Sequence, residues 1–356
     1  MTSQVMTGHA MPIPCGDANR REHMIARIRK GRMSILVNGA GRASLFVAAN
    51  RVTSETVNFM AKHARGLVCL ALTETRANEL GILRQPRSVD NGRQPDFGVS
   101  IEARSGVTTG ISAYDRARTI AVAVHPDSSS ASLVTPGHVF PVIAAAGGVF
   151  ERLADCEAAV DLARLAGLAP MGVFCEILGK EGGLAEEADY RELARTYDLD
   201  VIACRDIADW RAETDPALRF VAEETFDSSA GSGWRLVRFQ AIDGREFLAL
   251  RFGSAGSGLP MTVAWHDVAL LDELIGRATK GSPTLHQIMR EAGQAGPTVI
   301  AFASPNNRRP DRSGPKKTGC AAPLEDAAFV VQQILAELKR SDAAPGSSSA
   351  LLLQTA

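Results

Sequence analysis

Apolar residues in the first part of the chain recur at intervals that alternate between those of helices and those of strands. The apolar spacing of three and four predicts helices in REHMIARIRKGR, TSETVNFMAKHARG, ETRANELG, AYDRARTIAVAV and DCEAAVDLARLAGL. Continuous apolar or alternating runs of strand length predict strands in SILVNG, RGLVCLAL, VSIEA and MGVFCEIL. The joints between these elements are short, so strands and helices alternate along the chain.

Capping residues define where several of these helices begin and end. Thr53 or Ser54 is placed to cap the helix in TSETVNFMAKHARG, and Gly66 to end it. Asp155 is placed as the N-cap of the most clearly amphipathic helix, and Gly167 follows its last apolar residue.

A different pattern, richer in strands, begins near residue 220. Strands are predicted in WRLVRFQAI, REFLALRFG, LPMTVAW and PTVIAFA, and helices in DVALLDELIGRA, TLHQIMREAG and AAFVVQQILAELKR. We therefore expect a flexible leader over 1–19, one domain over 20–212, a second over 220–340 and a disordered tail over 341–356.

Composition limits the classes of function. The 356 residues carry 39 Lys and Arg against 40 Asp and Glu, so nothing in the charge favours nucleic acid or a membrane surface as partner. The six cysteines form no CxxC pair, which argues against a zinc site and a disulfide framework. These features, with no signal-like or membrane-spanning apolar run, predict a cytoplasmic protein.

Candidate chemistry is concentrated between residues 106 and 176. The run GVTTGIS places Thr108, Thr109 and Ser112 just before a helix, where hydroxyls and backbone N–H groups suit a phosphate; an ordinary strand-to-helix turn is the alternative. His138 stands between two prolines in a segment expected to be irregular, and is either a general base or a loop histidine. Glu176 interrupts an apolar strand, so it must be paired, raised in pKa or turned into a cavity.

Four runs of the chain, GVTTGISAYDRARTI (106–120), TPGHVFPV (135–142), GGVFERLADCEAAVDLARLAGL (147–168) and GVFCEIL (172–178), resemble 3,4-dihydroxy-2-butanone-4-phosphate synthase. The resemblance implies an α/β (α+β) fold, a three-layer sandwich with a mixed sheet, followed by a smaller α+β domain. It also implies a homodimer with sites at or near the subunit interface. In that family the histidine matching His138 and the glutamate matching Glu176 are essential.

Further residues are assigned to the substrate by the same resemblance. Arg152, Asp115 and the hydroxyls of the GVTTGIS run fall among the substrate-binding positions, and Cys69 matches a family cysteine near the substrate. Cys156 replaces a substrate-binding threonine. At a helix N-terminus its thiol is either a nucleophile of lowered pKa or a plain cysteine of the cap region.

The chain departs from the family pattern at the residues that bind the metal ion. The family's metal-binding histidine is replaced by Asp155, and its acidic run after the first strand by NGAGRAS, with Arg42 and Ser44 but no carboxylate. Magnesium requires oxygen ligands of high charge density. We therefore predict no metal ligands, magnesium at best weakly held, and no confident cofactor.

The second domain resembles GTP cyclohydrolase II more faintly, through WRLVRF, FLALRFG and MTVAWHD. That enzyme needs three cysteines on zinc, and the matching region HDVALLDELIGRATKGSPTLHQ has none. We therefore predict a degenerate domain without zinc and without cyclohydrolase activity.

Three hypotheses follow for the whole chain. The first is a divergent lyase of riboflavin biosynthesis acting on ribulose 5-phosphate or a related sugar phosphate. The second is a metal-independent enzyme recruited to a specialised pathway, in which Asp155 and Cys156 matter most. The third is a non-catalytic paralogue that regulates a true synthase.

Overall fold

The computed structural model describes residues 5–6, 18–86, 95–253, 262–266, 284–304, 307 and 326–343. These residues divide into two compact units between Thr214 and Asp215. Most of the predicted leader, residues 344–356 of the predicted tail, the polar loop at 87–94, the predicted helix DVALLDELIGRA and the loop 308–325 lie outside the described residues. Residues 341–343, which were predicted to belong to the disordered tail, end a helix. Within the leader, Val5 and Met6 form a short strand, β1, that belongs to the second unit.

The first unit is built on a mixed sheet. Its strands are β2 Ser34–Val37, β3 Ala43–Ala48, β4 Arg65–Leu72, β5 Asp96–Phe97, β6 Ile101–Ala103, β7 Leu133–Ile143, β8 Met171–Ile177 and β9 Asp200–Ala203. They lie in the order β5-β7-β4-β8-β3-β2-β9, with β6 paired to β7. The pairs β4/β7 and β2/β9 are parallel, whereas β3/β8 and β4/β8 are antiparallel.

Helices cover both faces of this sheet. They are α1 Ala18–Arg29, α2 Ser54–His63, α3 Glu74–Glu79, α4 Ala113–Val124, α5 Asp155–Leu165, α6 Glu187–Tyr197 and α7 Cys204–Thr214. One face contributes Leu45, Val68, Val173 and Cys175 to a core shared with α2 and α4. The opposite face carries the side chains that alternate with these, and α5 packs on it. The predicted three-layer α/β sandwich with a mixed sheet is confirmed.

A buried ion pair joins α5 and α7 to the segment that precedes α5. Arg211 Nη1 donates to Asp161 Oδ2 at 3.0 Å and to the Gly147 carbonyl at 2.6 Å, and both side chains are almost completely buried. The Val149 N–H donates to the same carboxylate oxygen, and the guanidinium lies 4.4 Å from the Phe150 ring centroid. Since breaking such a pair leaves a buried charge uncompensated, these contacts fix the entry to α5.

The second unit is a smaller α+β structure. Its sheet has the order β1-β13-β14-β12-β11-β10, with bounds Leu218–Ser228 for β10, Gly231–Ala241 for β11, Glu246–Phe252 for β12, Thr262–Trp265 for β13 and Thr298–Ala303 for β14. Its described helices are α8 Leu285–Ala295 and α9 Ala327–Ala343. Trp234, Leu250, Met289, Ile300 and Phe302 form one of its cores.

Several local predictions were confirmed and several were wrong. Thr53 caps α2 with a complete capping box, and Gly167 follows α5 with φ +70°. Gly66, however, lies within β4, where an added Cβ would be 2.3 Å from the Glu176 carbonyl oxygen. Gly66 therefore permits the close approach of β4 and β8 and does not end a helix.

Two further local predictions concern the site region, and the first was wrong. Ala154 is the N-cap of α5 and Asp155 its first residue, so the Asp155 carboxylate is directed elsewhere. The segment around His138 belongs to a strand, β7, but it is irregular as predicted: its pairing with β6 shifts register between Val134 and Val139, and the Thr135–Pro136 peptide bond is cis. Pro136 and Pro141 are tolerated in β7 although neither has an N–H to donate.

Candidate active site

One face of the sheet carries two of the predicted site residues, Cys69 and Glu176, together with Ser44. In the strand pairing Cys69 lies between Phe140 and Phe174, and Ser44 lies opposite Glu176. Because side chains alternate along a strand, Cys69, Glu176 and Ser44 share the face on which α5 packs. Glu176 remains one-third exposed, whereas Ser44 is buried. The part of this face around Glu176 is therefore accessible to a ligand.

His138 forms a pair with Glu102, a residue that the sequence analysis did not single out. The His138 Nδ1 and Glu102 Oε2 atoms are 2.7 Å apart, and the Glu102 side chain is 12% exposed against 41% for His138. A buried carboxylate on one ring nitrogen sets the tautomer and leaves the other nitrogen available. Glu102 could have been identified from the run VSIEA, because it is a charged residue inside a predicted strand. Only the fold shows that its partner is His138.

The GVTTGIS loop is organised by Asp115. This buried carboxylate accepts hydrogen bonds from the Thr108 N–H, the Thr108 hydroxyl and the Gly110 N–H at 3.1, 2.8 and 3.1 Å. Burial opposes ionisation, but these hydrogen bonds outweigh it and lower the pKa of Asp115. Ser112 caps α4 by accepting from the Asp115 N–H. Asp115 therefore holds the loop from inside, and its position is not that of a residue exposed to substrate.

These bonds also restrict how the loop can bind a phosphate. The Thr108 and Gly110 N–H groups already donate to Asp115. They are therefore not free to bind a phosphate, contrary to the expectation from the sequence. The exposed hydroxyls of Thr109 and Ser112 remain able to donate. Gly110 lies against the Glu102 carboxylate, since an added Cβ would be 2.1 Å from Glu102 Oε2. The loop and the Glu102–His138 pair thus form one cluster, the histidine cluster.

A second cluster, the carboxylate cluster, surrounds Glu176. Arg42 Nη1 lies 3.4 Å from Glu176 Oε1, and Asn38 Nδ2 donates to Asp155 Oδ2 at 3.3 Å. Burial, then the charge of Glu176, raise the pKa of Asp155 to about 6, while Asn38, Arg42 and Ser44 act in the opposite direction. The carboxylates of Asp155 and Glu176 are therefore close enough to repel each other, and the Arg42 guanidinium attracts both.

Arg152 adjoins this cluster through a buried partner. It forms an ion pair with Glu157, which also accepts from the Ala145 N–H at 2.9 Å. Burial alone would lower the pKa of Arg152, but Glu157 outweighs it and raises the pKa. Arg152 therefore stays cationic at the start of α5, where an anion would also meet the helix dipole.

The two cysteines are placed as packing groups. Burial raises the pKa of Cys69 to about 12, and burial raises the pKa of Cys156 well above its ordinary value. Cys156 Sγ donates to the Val142 carbonyl oxygen at 3.2 Å. Of the two alternatives for Cys156, a nucleophile whose pKa the helix dipole lowers is wrong, because burial in an apolar setting has the larger effect; the thiol is a plain cysteine of the cap region. Neither thiol is an activated nucleophile.

The structure thus gathers the predicted residues into two clusters. Strand β4 separates the strands that carry His138 and Glu176, and no hydrogen bond or ion pair between the two clusters is found among the described residues. A cavity of about 340 Å³ lies elsewhere in the first unit, between Arg104, Arg118 and His125, and contains none of the predicted site residues.

Known proteins match the chain over both units. The family profile of 3,4-dihydroxy-2-butanone 4-phosphate synthase matches residues 22–210. The chain belongs to this family. The 3,4-dihydroxy-2-butanone 4-phosphate synthase of Pseudomonas aeruginosa is 35% identical over 285 residues, which cover 79% of this chain and 78% of that protein. The riboflavin biosynthesis protein RibBA of Aquifex aeolicus is 39% identical over 265 residues, which cover 72% of this chain but only 64% of that protein.

Solved structures of synthases show the same fold. RibBX from A. baumannii, described as a two-domain 3,4-dihydroxy-2-butanone 4-phosphate synthase, superimposes with a TM-score of 0.74 at 30% identity, covering 89% of this chain and 90% of that one. A synthase solved in complex with two magnesium ions has a TM-score of 0.52 at 32% identity, covering 55% of this chain and 98% of that one. The family is one of lyases, so the comparisons support an enzyme.

The donor atoms of the carboxylate cluster do not suit the magnesium of the synthase family. Asp155 Oδ1, Glu176 Oε1 and Ser44 Oγ are buried without a hydrogen-bond partner, but the Arg42 guanidinium lies among them. A divalent ion about 4 Å from a guanidinium is repelled by about 2 kcal/mol in water and about 8 kcal/mol at an effective dielectric of about 20. No group of three His, Cys, Asp or Glu side chains placed to hold a metal occurs in the described part of the chain.

The pKa of Asp155 generates a prediction about stability. Its folded pKa of about 6 exceeds an unfolded value near 3.9, so its contribution is fully present below pH ~4 and is lost as the pH rises through 6. The change in the free energy of unfolding that Asp155→Asn causes should therefore be about 1–3 kcal/mol more stabilising at pH 7.5 than at pH 4.5. Urea denaturation at the two pH values measures this; an equal effect at both would contradict it.

The Glu102–His138 pair generates a prediction about turnover. Glu102→Gln keeps the shape but removes the charge-assisted bond, so turnover at saturating sugar phosphate should fall about 10–100-fold with little change in KM. Steady-state kinetics measure both constants. Glu192→Gln, at an exposed position on α6, is the matched control. Unchanged turnover in Glu102→Gln would show that the pair is only structural.

Proposed function

We propose that the chain is a divergent 3,4-dihydroxy-2-butanone 4-phosphate synthase that acts on ribulose 5-phosphate or a related sugar phosphate. The single observation that carries this proposal is that His138, Glu176 and Arg152 each remain partly exposed while pairing with an oppositely charged or hydrogen-bonding side chain that orients them. Random drift would not keep a buried carboxylate on His138 or an ion pair on Arg152. The family match and the two-domain relative support the same assignment.

Each residue takes a role that its surroundings permit. His138, held by Glu102, exchanges a proton with the substrate through its free ring nitrogen. Glu176 is the second acid–base group, and Arg42 neutralises it. Arg152 and the hydroxyls of Thr109 and Ser112 bind the anionic and hydroxyl groups of the substrate. Thr108 and Asp115 position the loop that carries them, and Asp155 lies beside Glu176 with the buried Cys69 packed near both carboxylates.

The reaction balances without a further reactant. The five-carbon ketose phosphate loses a proton beside its carbonyl to give an enediolate, then loses water, rearranges its skeleton, takes up water and releases one carbon as formate. The remaining four carbons form the dihydroxybutanone phosphate. His138 and Glu176 are needed for the proton transfers, and the guanidinium groups stabilise the oxygens that become negative.

The second unit is proposed to carry no cyclohydrolase chemistry. Its described sheet strands supply no cysteine, and the region that would match the zinc ligands contains none in sequence. We propose that it is a retained structural or binding domain, as the two-domain relative would allow. No helix among the described residues is long and apolar enough to cross a membrane. A cytoplasmic location stays a prediction.

The decisive assay is formate release. Purified full-length protein with ribulose 5-phosphate should produce formate, measured with a coupled formate dehydrogenase, and His138→Ala or Glu176→Gln should lower the rate by a factor of about 100–10,000. Circular dichroism should show that both variants fold. Silence of the folded wild-type protein, with and without magnesium, would exclude the synthase activity and favour a non-catalytic paralogue.

We further propose a homodimer in which each site combines the histidine cluster of one subunit with the carboxylate cluster of the other. The two clusters make no direct contact within a chain, and apolar side chains beside them, Leu67, Ile111 and Tyr114, are 47%, 57% and 64% exposed. Exposed apolar groups of this size beside a site are typical of an interface.

This arrangement predicts complementation between inactive variants. His138→Ala and Glu176→Gln, mixed after unfolding and refolding together, should recover about one quarter of wild-type activity, because half the dimers are mixed and each mixed dimer has one intact site. Formate release of the mixture and light scattering of the wild-type protein measure this. A mixture as inactive as its components, or a monomeric wild-type protein, would contradict a shared site.

A further inference from the structure

The turn between β2 and β3 is built to hold one arginine. The Asn38 side-chain oxygen accepts hydrogen bonds from the Ala40 and Arg42 N–H groups at 3.0 and 3.1 Å, and the Asn38 N–H donates to the Arg42 carbonyl at 2.9 Å. Gly41 completes the turn with φ +75°. The position of the Arg42 backbone is therefore fixed by the hydrogen bonds of Asn38 and by the left-handed conformation of Gly41.

The same turn reaches both carboxylates of the carboxylate cluster. Asn38 uses its amide nitrogen to bind Asp155 and its amide oxygen to shape the turn, while Arg42 extends to Glu176. Ser44, two residues further on, lies opposite Glu176 in the sheet. One short turn thus supplies a neutral donor to one carboxylate and a cation to the other.

The charges of the cluster are close to balance without a metal ion. Asp155 is the carboxylate that its surroundings make harder to ionise, and Glu176 is the one in an ion pair with Arg42. The guanidinium is 49% exposed, so it also faces the open edge of the sheet where a substrate would enter. A planar guanidinium can bind two oxygen atoms at once, as an enediolate or phosphate requires.

We propose that the Arg42 guanidinium is the cation of this pocket, in place of a divalent metal ion: it holds Glu176 and pairs with an anionic oxygen of the sugar phosphate. This inference rests on the proposed function only for the identity of the substrate. The exclusion of a divalent cation depends on the geometry of the turn and the two carboxylates alone.

The first test is Mn²⁺ binding to the full-length protein, measured by electron paramagnetic resonance without substrate. The wild type should bind Mn²⁺ weakly, and Arg42→Glu should bind it at least about tenfold more tightly, since a repelling charge is replaced by a ligand. Adding Asp155→Asn to Arg42→Glu should remove the gain. Arg42→Lys should still exclude the ion. Arg195→Glu, a substitution at an exposed position on α6, should bind Mn²⁺ as weakly as the wild type.

The second test is binding of ribulose 5-phosphate in the presence of EDTA, measured by calorimetry. The wild type should bind without metal, Arg42→Ala at least about tenfold more weakly, and Arg42→Lys in between. Wild-type protein that binds Mn²⁺ as tightly as Arg42→Glu, or an Arg42→Glu variant with no gain, would overturn the inference. If no sugar phosphate binds at all, the proposed function fails, whereas the Mn²⁺ titrations still decide whether Arg42 excludes the metal.

Discussion

The carboxylates of Asp155 and Glu176 lie close together at the edge of a sheet, and their repulsion must be compensated for the fold to place them there. Glu176 reaches this position because β8 runs between β3 and β4, and the missing side chain of Gly66 lets β4 approach its backbone. Compensation comes from the β2–β3 turn, through Asn38 and Arg42. Burial is the main cause of the raised pKa of Asp155, and the charge of Glu176 adds to it. A carboxyl group whose pKa is perturbed by burial and by a neighbouring charge is typical of a functional site.

Buried ion pairs connect this pocket to the helical layer beside it. Glu157 holds Arg152, and one turn further along α5 Asp161 holds Arg211 of α7. Both carboxylates also accept from backbone N–H groups of the segment that leads into α5. Because each charge is satisfied by a partner on another element, the start of α5 is rigid. The cation of Arg152 is therefore presented at a fixed position, as an anionic substrate requires.

The comparison with the synthases shows the family of this chain and the fold of its first unit. Within that fold, the histidine cluster, Arg152 and Glu176 have oriented partners, and a compact turn that carries Arg42 joins β2 and β3. The match over both units to a two-domain synthase indicates that the second unit is part of an established architecture and not an unrelated addition.

The sequence by itself determined the family, the order of helices and strands in the first unit and the presence of His138, Glu176 and Arg152, because apolar periodicity and compact motifs are local properties. It could not identify Glu102 as the partner of His138, since the two residues are 36 positions apart and meet only when β6 pairs with β7. It also left two alternatives for Cys156 open, because the pKa of this thiol depends on burial more than on its place in a helix. Gly66, Asp115 and Arg42 acquired their roles only from packing, where distant segments determine which hydrogen bonds and charges a side chain meets.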